Sequence, residues 1–139
     1  MGSSANATQL VPLLNVTDME RSVRFYTEGL GFRMRNQWLP EGKLRWCWLD
    51  LDDISIMLQE YRPGRIPVGT LGLGADFCVM CEDAVGYYQE LKGRGLDPLE
   101  PFVGNGLWVT QIDDPDGYKL FFESPTDEAE ETKLSELAA

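Results

Sequence analysis

Acid–base chemistry in this chain would fall to carboxylates, because the sequence contains no histidine. Asp76 and Glu123 are the candidates, since each lies on the more polar face of a run of alternating residues that predicts a strand. A carboxylate in an apolar cleft can act as a general base when its pKa is raised. The sequence therefore offers metal-free proton abstraction by Asp76 or Glu123 as one candidate activity.

A second candidate for chemistry is the pair Cys78 and Cys81. A redox or zinc pair needs two sulfur atoms that converge, but residues three apart in a strand point to opposite faces. The neighbouring Glu82 and Asp83 would also raise the pKa of the thiols. Cys47 makes the count odd, which argues against a disulfide framework. The cysteines are predicted to be structural.

Four tryptophans form the third feature. Trp46 and Trp48 share one face of a predicted strand, Trp38 lies on the neighbouring strand, and Trp108 lies in the equivalent hairpin of the second half. Large aromatic side chains stack well on planar or cationic guests. They also commonly fill cores and dimer interfaces, and the sequence leaves both interpretations open.

Alternation divides three predicted strands into an apolar face and a mixed face. The apolar faces should pack on helices, whereas the mixed faces combine apolar walls with a few polar groups, as ligand clefts do. The mixed residues are Ser55, Met57, Gln59, Asp76, Cys78, Met80, Lys119, Phe121 and Glu123. The predicted ligand-binding set is Trp38, Trp46, Trp48, Met57, Gln59, Asp76, Trp108, Phe121 and Glu123.

These residues are positioned by one unit of structure that occurs twice. In the first half, a strand at residues 9–16 is followed by a helix to about Leu30, for which Thr17 and Glu20 match a capping box and Gly31 is the stop signal. Three predicted strands follow, at residues 32–39, 44–51 and 54–60.

The second half repeats this order. A strand is predicted at residues 75–81, Asp83 begins a helix that ends near Gly93, and further strands follow. Their ranges are 98–103, 107–112 and 119–123. The last is preceded by the turn Asp114-Pro115-Asp116-Gly117, in which both aspartates can bond their own backbone and Gly117 takes a positive φ.

The resulting organisation is a single domain at residues 9–124 with two short terminal segments. Module one spans 9–60, a linker rich in Gly and Pro spans 61–74, and module two spans 75–124. Residues 1–8 are expected to be disordered. Residues 125–139 form an acidic tail, expected either to dock as a weak helix or to stay loose.

Composition limits the function classes. The chain has 139 residues and a formal net charge of −11, which argues against nucleic acid because phosphate binding needs clustered Lys and Arg. It contains no apolar run long enough to span a membrane, and its first residues lack a signal-peptide pattern. We expect a cytoplasmic protein whose partner is a small molecule.

Four short motifs occur in order along this doubled unit: Val16-Thr17-Asp18, Phe25-Tyr26, Leu30-Gly31-Phe32 and Asp114-Pro115-Asp116-Gly117. Together they resemble the vicinal oxygen chelate superfamily, the group of glyoxalase I, bleomycin-resistance proteins, fosfomycin-resistance enzymes and ring-cleaving dioxygenases. The resemblance implies an α+β fold in which two βαβββ modules form curled mixed sheets around a cleft. It also implies a homodimer.

In metal-using members of that superfamily, the ligands come from the first and last strand of each module. Those positions here are Val11, Met57, Asp76 and Phe121, of which only Asp76 is a suitable donor for a catalytic divalent ion. If the register differs by two residues, Gln59 and Glu123 would join Asp76 in a metal site with only a few oxygen ligands. We therefore expect no metal and no cofactor.

Three functions remain open on this basis. The first, closest in character to the bleomycin-resistance branch, is metal-independent binding of a bulky aromatic molecule in a dimer cleft, with Asp76 or Glu123 offsetting any positive charge on the guest. The second is an isomerase or lyase of the same fold, either resembling lactoylglutathione lyase or metal-free. The third is a scaffold whose cleft is filled by its own side chains.

Overall fold

The computed structural model describes residues 6–137. Most of the segment expected to be disordered, residues 1–5, lies outside the described residues, as do residues 138 and 139. Within the described range, none of the helices has the length and apolar character needed to cross a bilayer.

Residues 6–137 fold into eight strands and two main helices. The first half contains β1 (Leu13–Val16), α1 (Met19–Arg24) with a π-helical continuation (Phe25–Leu30), β2 (Arg33–Trp38), β3 (Trp46–Leu51) and β4 (Ile54–Glu60). The second contains β5 (Asp76–Met80), α2 (Ala84–Gly93), β6 (Phe102–Gly104), β7 (Leu107–Asp113) and β8 (Lys119–Pro125). Short 3-10 turns occur at Pro40–Gly42 and Leu134–Leu137.

The strands form two four-stranded sheets of identical topology, β1-β4-β3-β2 and β5-β8-β7-β6. In each sheet the first and last strands of the module are parallel neighbours and the remaining pairs are antiparallel. This confirms the α+β prediction of two βαβββ modules with mixed sheets.

The first strand is shorter than predicted. It begins at Leu13 rather than at residue 9, because Pro12 has no N–H with which to extend the ladder. The carbonyl of Pro12 still accepts a hydrogen bond from the N–H of Met57 at 2.8 Å. Pro12 therefore marks the edge of regular pairing, as its chemistry requires.

The first helix is capped by Asp18 and not by the predicted Thr17–Glu20 box. The carboxylate of Asp18 accepts from the N–H of Arg21 at 3.1 Å. The helix then widens into a π-helix at Phe25, where the hydroxyl of Thr27 donates to the carbonyl of Val23 at 2.7 Å and competes with the regular ladder.

The acidic tail docks on the body without forming an α-helix. The N–H of Glu131 donates to the carbonyl of Val103 at 2.8 Å, and the N–H of Val103 donates to the carbonyl of Thr132 at 2.9 Å. The tail thus runs along β6, which itself begins at Phe102 rather than at residue 98 as predicted. Residues 98–101 lack the regular pairing that the sequence suggested.

The two modules share one hydrophobic core. The predicted apolar faces point into it, where Leu58, Leu120 and Phe122 are buried beside the first helix. The ring of Tyr87 on α2 packs against Phe122 with centroids 4.6 Å apart and ring planes tilted by 55°, and its hydroxyl donates to the carbonyl of Leu30 at 2.6 Å. The core side of each sheet is therefore covered by helices and by the other module.

The turn before β8 joins the modules. One oxygen of Asp114 accepts from the N–H groups of Asp116 and Tyr118, as predicted for a self-bonding turn, at 2.8 and 2.9 Å. Its other oxygen accepts from the buried hydroxyl of Tyr26 at 2.8 Å. Asp116 accepts from the hydroxyl of Thr17 at 2.6 Å, which explains why Thr17 does not cap its own helix.

We expect Tyr26→Phe to destabilise the fold by about 1–3 kcal/mol, because the buried carboxylate of Asp114 loses a hydrogen-bond donor that water cannot replace. Urea denaturation followed by circular dichroism measures the change. Tyr88→Phe is the matched control, since in the described part of the chain no hydrogen bond is made by its hydroxyl, and it should change the free energy of unfolding by less than about 0.5 kcal/mol. Equal effects of the two variants would contradict the role given to Asp114.

Candidate functional site

Each sheet has a second face that points away from the shared core. On the first sheet, the strand pairing places eleven side chains on this face, which we call the first open face: Leu13, Asn15, Arg33, Asn36, Trp38, Trp46, Trp48, Asp50, Ser55, Met57 and Gln59. The second open face carries Asp76, Cys78, Met80, Gln111, Asp113, Lys119, Phe121 and Glu123. Both faces are mixed in character, as alternation predicted.

The structure divides the predicted binding set between these two faces. Trp38, Trp46, Trp48, Met57 and Gln59 lie on the first open face, and Asp76, Phe121 and Glu123 lie on the second. Because both sheets turn their other faces toward one core, the two open faces point in different directions within one chain. A single chain therefore does not bring the predicted residues together.

Trp108 belongs to neither open face. It pairs with Ser124 and shares the helix-facing side of β7 with Thr110, whose hydroxyl donates to the carbonyl of Ala84 at 2.8 Å. The side chain of Trp108 is thus placed beside α2, on the core side of the second sheet. The two hairpins are not equivalent here, because the tryptophan of β7 lies on the core side of its sheet whereas those of β3 lie on the open face.

The first open face is built from rows that cross the sheet. One row runs Asn15, Gln59, Trp46 and Trp38 from β1 to β2, and the next runs Leu13, Met57, Trp48 and Asn36. Directly opposed side chains on neighbouring strands lie about 5 Å apart, so each row is continuous. Three indoles, a thioether and three amides thereby form one continuous surface.

A hydrogen-bonded cluster fixes one indole of this surface. The Nε1–H of Trp48 donates to Oδ1 of Asp50 at 2.8 Å, and the hydroxyl of Ser55 donates to the same oxygen at 2.6 Å. The guanidinium of Arg35 lies 5.1 Å from the Trp48 ring centroid, with its Nε 3.7 Å from Oδ2 of Asp50. The hydrogen bond from Ser55, with smaller contributions from Trp48 and Arg35, lowers the pKa of Asp50.

Asp50 is a site residue that sequence reasoning missed. The signal was present, because Asp50 follows Trp48 by two residues and therefore shares its face. The two-residue turn Asp52–Asp53 also places Asp50 directly opposite Ser55 on β4. From the sequence, Arg33, Arg35 and Arg45 could either reach the cleft as anion clamps or solvate the sheet edge, and solvation is the favoured interpretation. The contact of Arg35 with Trp48 depends on a bulge between Met34 and Asn36 that the sequence did not indicate.

The second open face centres on Cys78. This cysteine pairs with Phe121 and is exposed, and its pKa is raised by partial burial and then by the charges of Glu123 and Asp76. Cys81 lies beyond the end of β5, where it packs against the core and has a pKa raised mainly by burial. The two thiols point to different sides of the sheet and stay protonated at neutral pH, so they do not form the converging pair that redox or zinc chemistry needs.

The residues present do not fit the divalent metal that the fold implies. Of the four corresponding positions, Val11, Met57 and Phe121 offer no hard donor, which leaves Asp76. Throughout residues 6–137, no group of three or more His, Cys, Asp or Glu side chains is arranged to hold a metal ion.

The alternative oxygen site is not formed within one chain either. Asp76 pairs with Lys119, four residues before Glu123, so the two carboxylates are separated by about 13 Å at 3.3 Å per residue. Gln59 lies on the other open face. Asp76 and Glu123 could each act only as an isolated base.

Comparison with known proteins agrees with this architecture. A sequence model described as the Glyoxalase/Bleomycin resistance protein/Dioxygenase superfamily matches residues 8–122. The chain belongs to this superfamily. The likeness predicted from the short motifs is therefore confirmed.

Two curated members of the superfamily resemble the chain over most of its length. It is 28% identical over 121 residues to lactoylglutathione lyase of Haemophilus influenzae, covering 79% of this chain and 87% of that protein. It is 30% identical over 124 residues to "Probable lactoylglutathione lyase, chloroplastic" of Arabidopsis thaliana. That match covers 81% of this chain but 35% of the plant protein, so the chain spans about a third of this relative's length.

Among solved structures, the fold is similar to that of TnmS3, an antibiotic binding protein from a Streptomyces species. The TM-score is 0.66 and the identity 22%, with 86% of this chain and 98% of TnmS3 covered. At this level of identity the likeness concerns the fold alone.

The cluster around Asp50 should persist at neutral pH and dissolve only in acid. Because the pKa of Asp50 is lower in the folded chain, its ionised form stabilises the fold above the ordinary aspartate pKa of about 3.9, and this contribution is lost as pH falls through the folded value. The indole ¹⁵N–H resonance of Trp48 should stay constant from about pH 8 to pH 5 and move only below about pH 4.

Trp48→Phe identifies the resonance, and Asp50→Asn is the control that should remove its response to acid. A resonance that titrates between about pH 5 and pH 8 would show that Asp50 is not the acceptor of this hydrogen bond.

Proposed function

We propose that this member of the superfamily binds a bulky aromatic small molecule, without a metal, in a cleft formed between the first open face of one chain and the second open face of another. The observation that carries this proposal is the row of indoles on the first open face, which lies outside the core of its own chain. A protein does not normally leave such a surface uncovered unless it binds something there.

A second copy of the chain is the partner that best completes the cleft. Exposed apolar side chains occur on both open faces, with Trp38 58% exposed on the first and Met80 61% exposed on the second. The second face also supplies the carboxylates of Asp76 and Glu123, whereas the carboxylate of Asp50 on the first is already bonded to Trp48 and Ser55. Pairing the two faces would unite all of the predicted binding residues except Trp108.

The composition of the faces favours binding over metal-assisted catalysis. With a single hard donor at the metal positions, the surface can attract a guest by apolar burial and hydrogen bonds but has little with which to polarise it. Burying about 200 Å² of apolar area is worth about 5 kcal/mol before the costs of ordering are subtracted. The name of TnmS3, an antibiotic binding protein of the same fold, is compatible with this type of function.

Trp46→Ala should weaken the binding of planar aromatic compounds by about 10-fold or more, because the stacking surface at the centre of the row is removed. Isothermal titration calorimetry with a panel of such compounds measures the loss, and circular dichroism reports that the fold is intact. Trp108→Phe is the matched control and should leave the affinity unchanged, since this side chain lies on the helix-facing side of β7.

Sedimentation velocity of the same samples should give a species of twice the 15.7 kDa chain mass. Binding by a monomer would refute the two-chain cleft, and an unresponsive panel would refute the aromatic guest.

The alternative function is that of a lactoylglutathione lyase, which the two curated relatives favour by sequence. The donor set predicts that the chain will not isomerise the hemithioacetal of methylglyoxal and glutathione, even when Ni²⁺ or Zn²⁺ is added. Ultraviolet absorbance of the thioester product provides the assay. Turnover that EDTA abolishes and added metal restores would reverse the choice between the two functions.

One substitution at each candidate base distinguishes a metal-free isomerase from the binding protein and from the metal-dependent lyase. Asp76→Asn or Glu123→Gln would abolish turnover but retain binding if either carboxylate abstracts a proton. On the binding proposal, neither substitution removes an activity.

A further inference from the structure

One end of the first open face deepens into a concavity of about 730 Å³. It lies where β2 and β4 end and the linker begins, and it is formed within a single chain. The side chains that line it and enter the argument are Trp38, Arg45, Gln59, Tyr61, Arg62 and Arg65. None of Tyr61, Arg62 and Arg65 was considered as a site residue from the sequence.

The charge of this concavity is opposite to that of the protein. Its lining contains three arginines and one acid, Glu60, although the whole chain carries a formal net charge of −11. In the described part of the chain, no carboxylate lies within ion-pair distance of Arg62 or Arg65. Positive charge concentrated in one hollow of an acidic protein favours an anionic ligand there.

Arg45 is held in position by its own carboxylate partner. Its Nη1 donates to Glu60 at 2.7 Å, and the side chain of Glu60 is only 11% exposed. Glu60 is also fixed by the N–H of Met19 at 3.0 Å and by the ammonium of Lys43 at 3.3 Å. Two cations on one carboxylate leave the group with surplus positive charge, and the remaining N–H groups of Arg45 are available to a ligand.

Aromatic surface adjoins this charge. Trp38 belongs to the row that continues through Trp46 to Gln59, and Tyr61 follows directly after β4. A planar guest lying along the row would therefore place one end over the indoles and the other against the guanidinium groups. The amide of Gln59, which is exposed, can donate a hydrogen bond between them.

We propose that this concavity binds the carboxylate of a planar aromatic acid, whose ring system lies on the first open face. The inference rests on the proposed function, because it assigns the chemical class of the guest in the same cleft. Guanidinium groups match the planar geometry of a carboxylate and bind it through paired N–H donors. The guest class is thus anionic, whereas the net charge of the chain alone favoured a cationic one.

Three naphthalenes of the same size test the proposal: 2-naphthoate, 2-naphthamide and 2-(aminomethyl)naphthalene, with charges of about −1, 0 and +1 at pH 7. In calorimetric titrations of the full chain, we expect the naphthoate to bind at least about 10-fold more tightly than the amide, and the amine to bind most weakly. The advantage of the naphthoate should shrink as salt is added, because the exposed arginines are screened.

The double variant Arg62→Gln, Arg65→Gln should reduce the affinity for the naphthoate to that for the amide. These arginines are exposed and make no ion pair in the described structure, so the fold should be unaffected, unlike in a variant of Arg45 that would leave Glu60 with fewer partners. Lys92→Gln, which removes an exposed positive charge from α2, is the matched control and should keep the preference for the acid.

The possible results distinguish the anionic guest from the aromatic cleft. Equal affinity for the three compounds, or a preference for the amine, would overturn the anionic guest and leave the aromatic cleft standing. Failure of all three to bind would overturn both. A double variant that keeps the wild-type preference would overturn the assignment of the carboxylate to this concavity.

Discussion

The hydrogen bond between the buried hydroxyl of Tyr26 and Asp114 is the constraint on which the rest of the architecture depends. It ties the helix of the first module to the turn that launches the last strand of the second, and Asp116 repeats the connection at Thr17. Both partners are buried, so the junction cannot loosen without leaving a polar group unsatisfied. The modules are consequently locked with their helix-bearing sides together, and their aromatic and polar sides are left to face outward.

This arrangement explains why a binding surface occurs on a molecule with so compact a core. The indoles of Trp46 and Trp48 alternate with Cys47 and Leu49, which are fully buried, so the strand that builds the core also orients the open surface. Packing on one face thus provides the rigidity that a recognition surface needs on the other.

The sequence predicted the fold closely, because helix caps, turn residues and period-two alternation are local signals that the tertiary structure here obeys. The prediction failed where a residue that matches a local motif forms its hydrogen bond with a residue far away in the sequence. Thr17 looked like the first residue of a capping box, but Asp116 lies within reach and takes its hydroxyl. For the site, alternation found the indoles of β3 but misplaced Trp108, since the phase of β7 is set by how Thr110 and Ser124 meet α2. The positions of Arg62 and Arg65 could not be predicted, because a loop has no periodic pattern that determines where its side chains lie.

The docked tail has a consequence for how the protein behaves at high concentration. Each sheet has two edge strands, β1 and β2 in the first sheet and β5 and β6 in the second, and unpaired backbone groups at such edges allow other chains to add on and start aggregates. The tail covers β6 by forming hydrogen bonds with both the N–H and the carbonyl of Val103. On β2 the protection is different, with a bulge next to Met34 and the charged side chains of Arg33 and Arg35. Removal of the tail would therefore expose the unpaired backbone groups of β6 and favour self-association of chains through this edge of the second sheet.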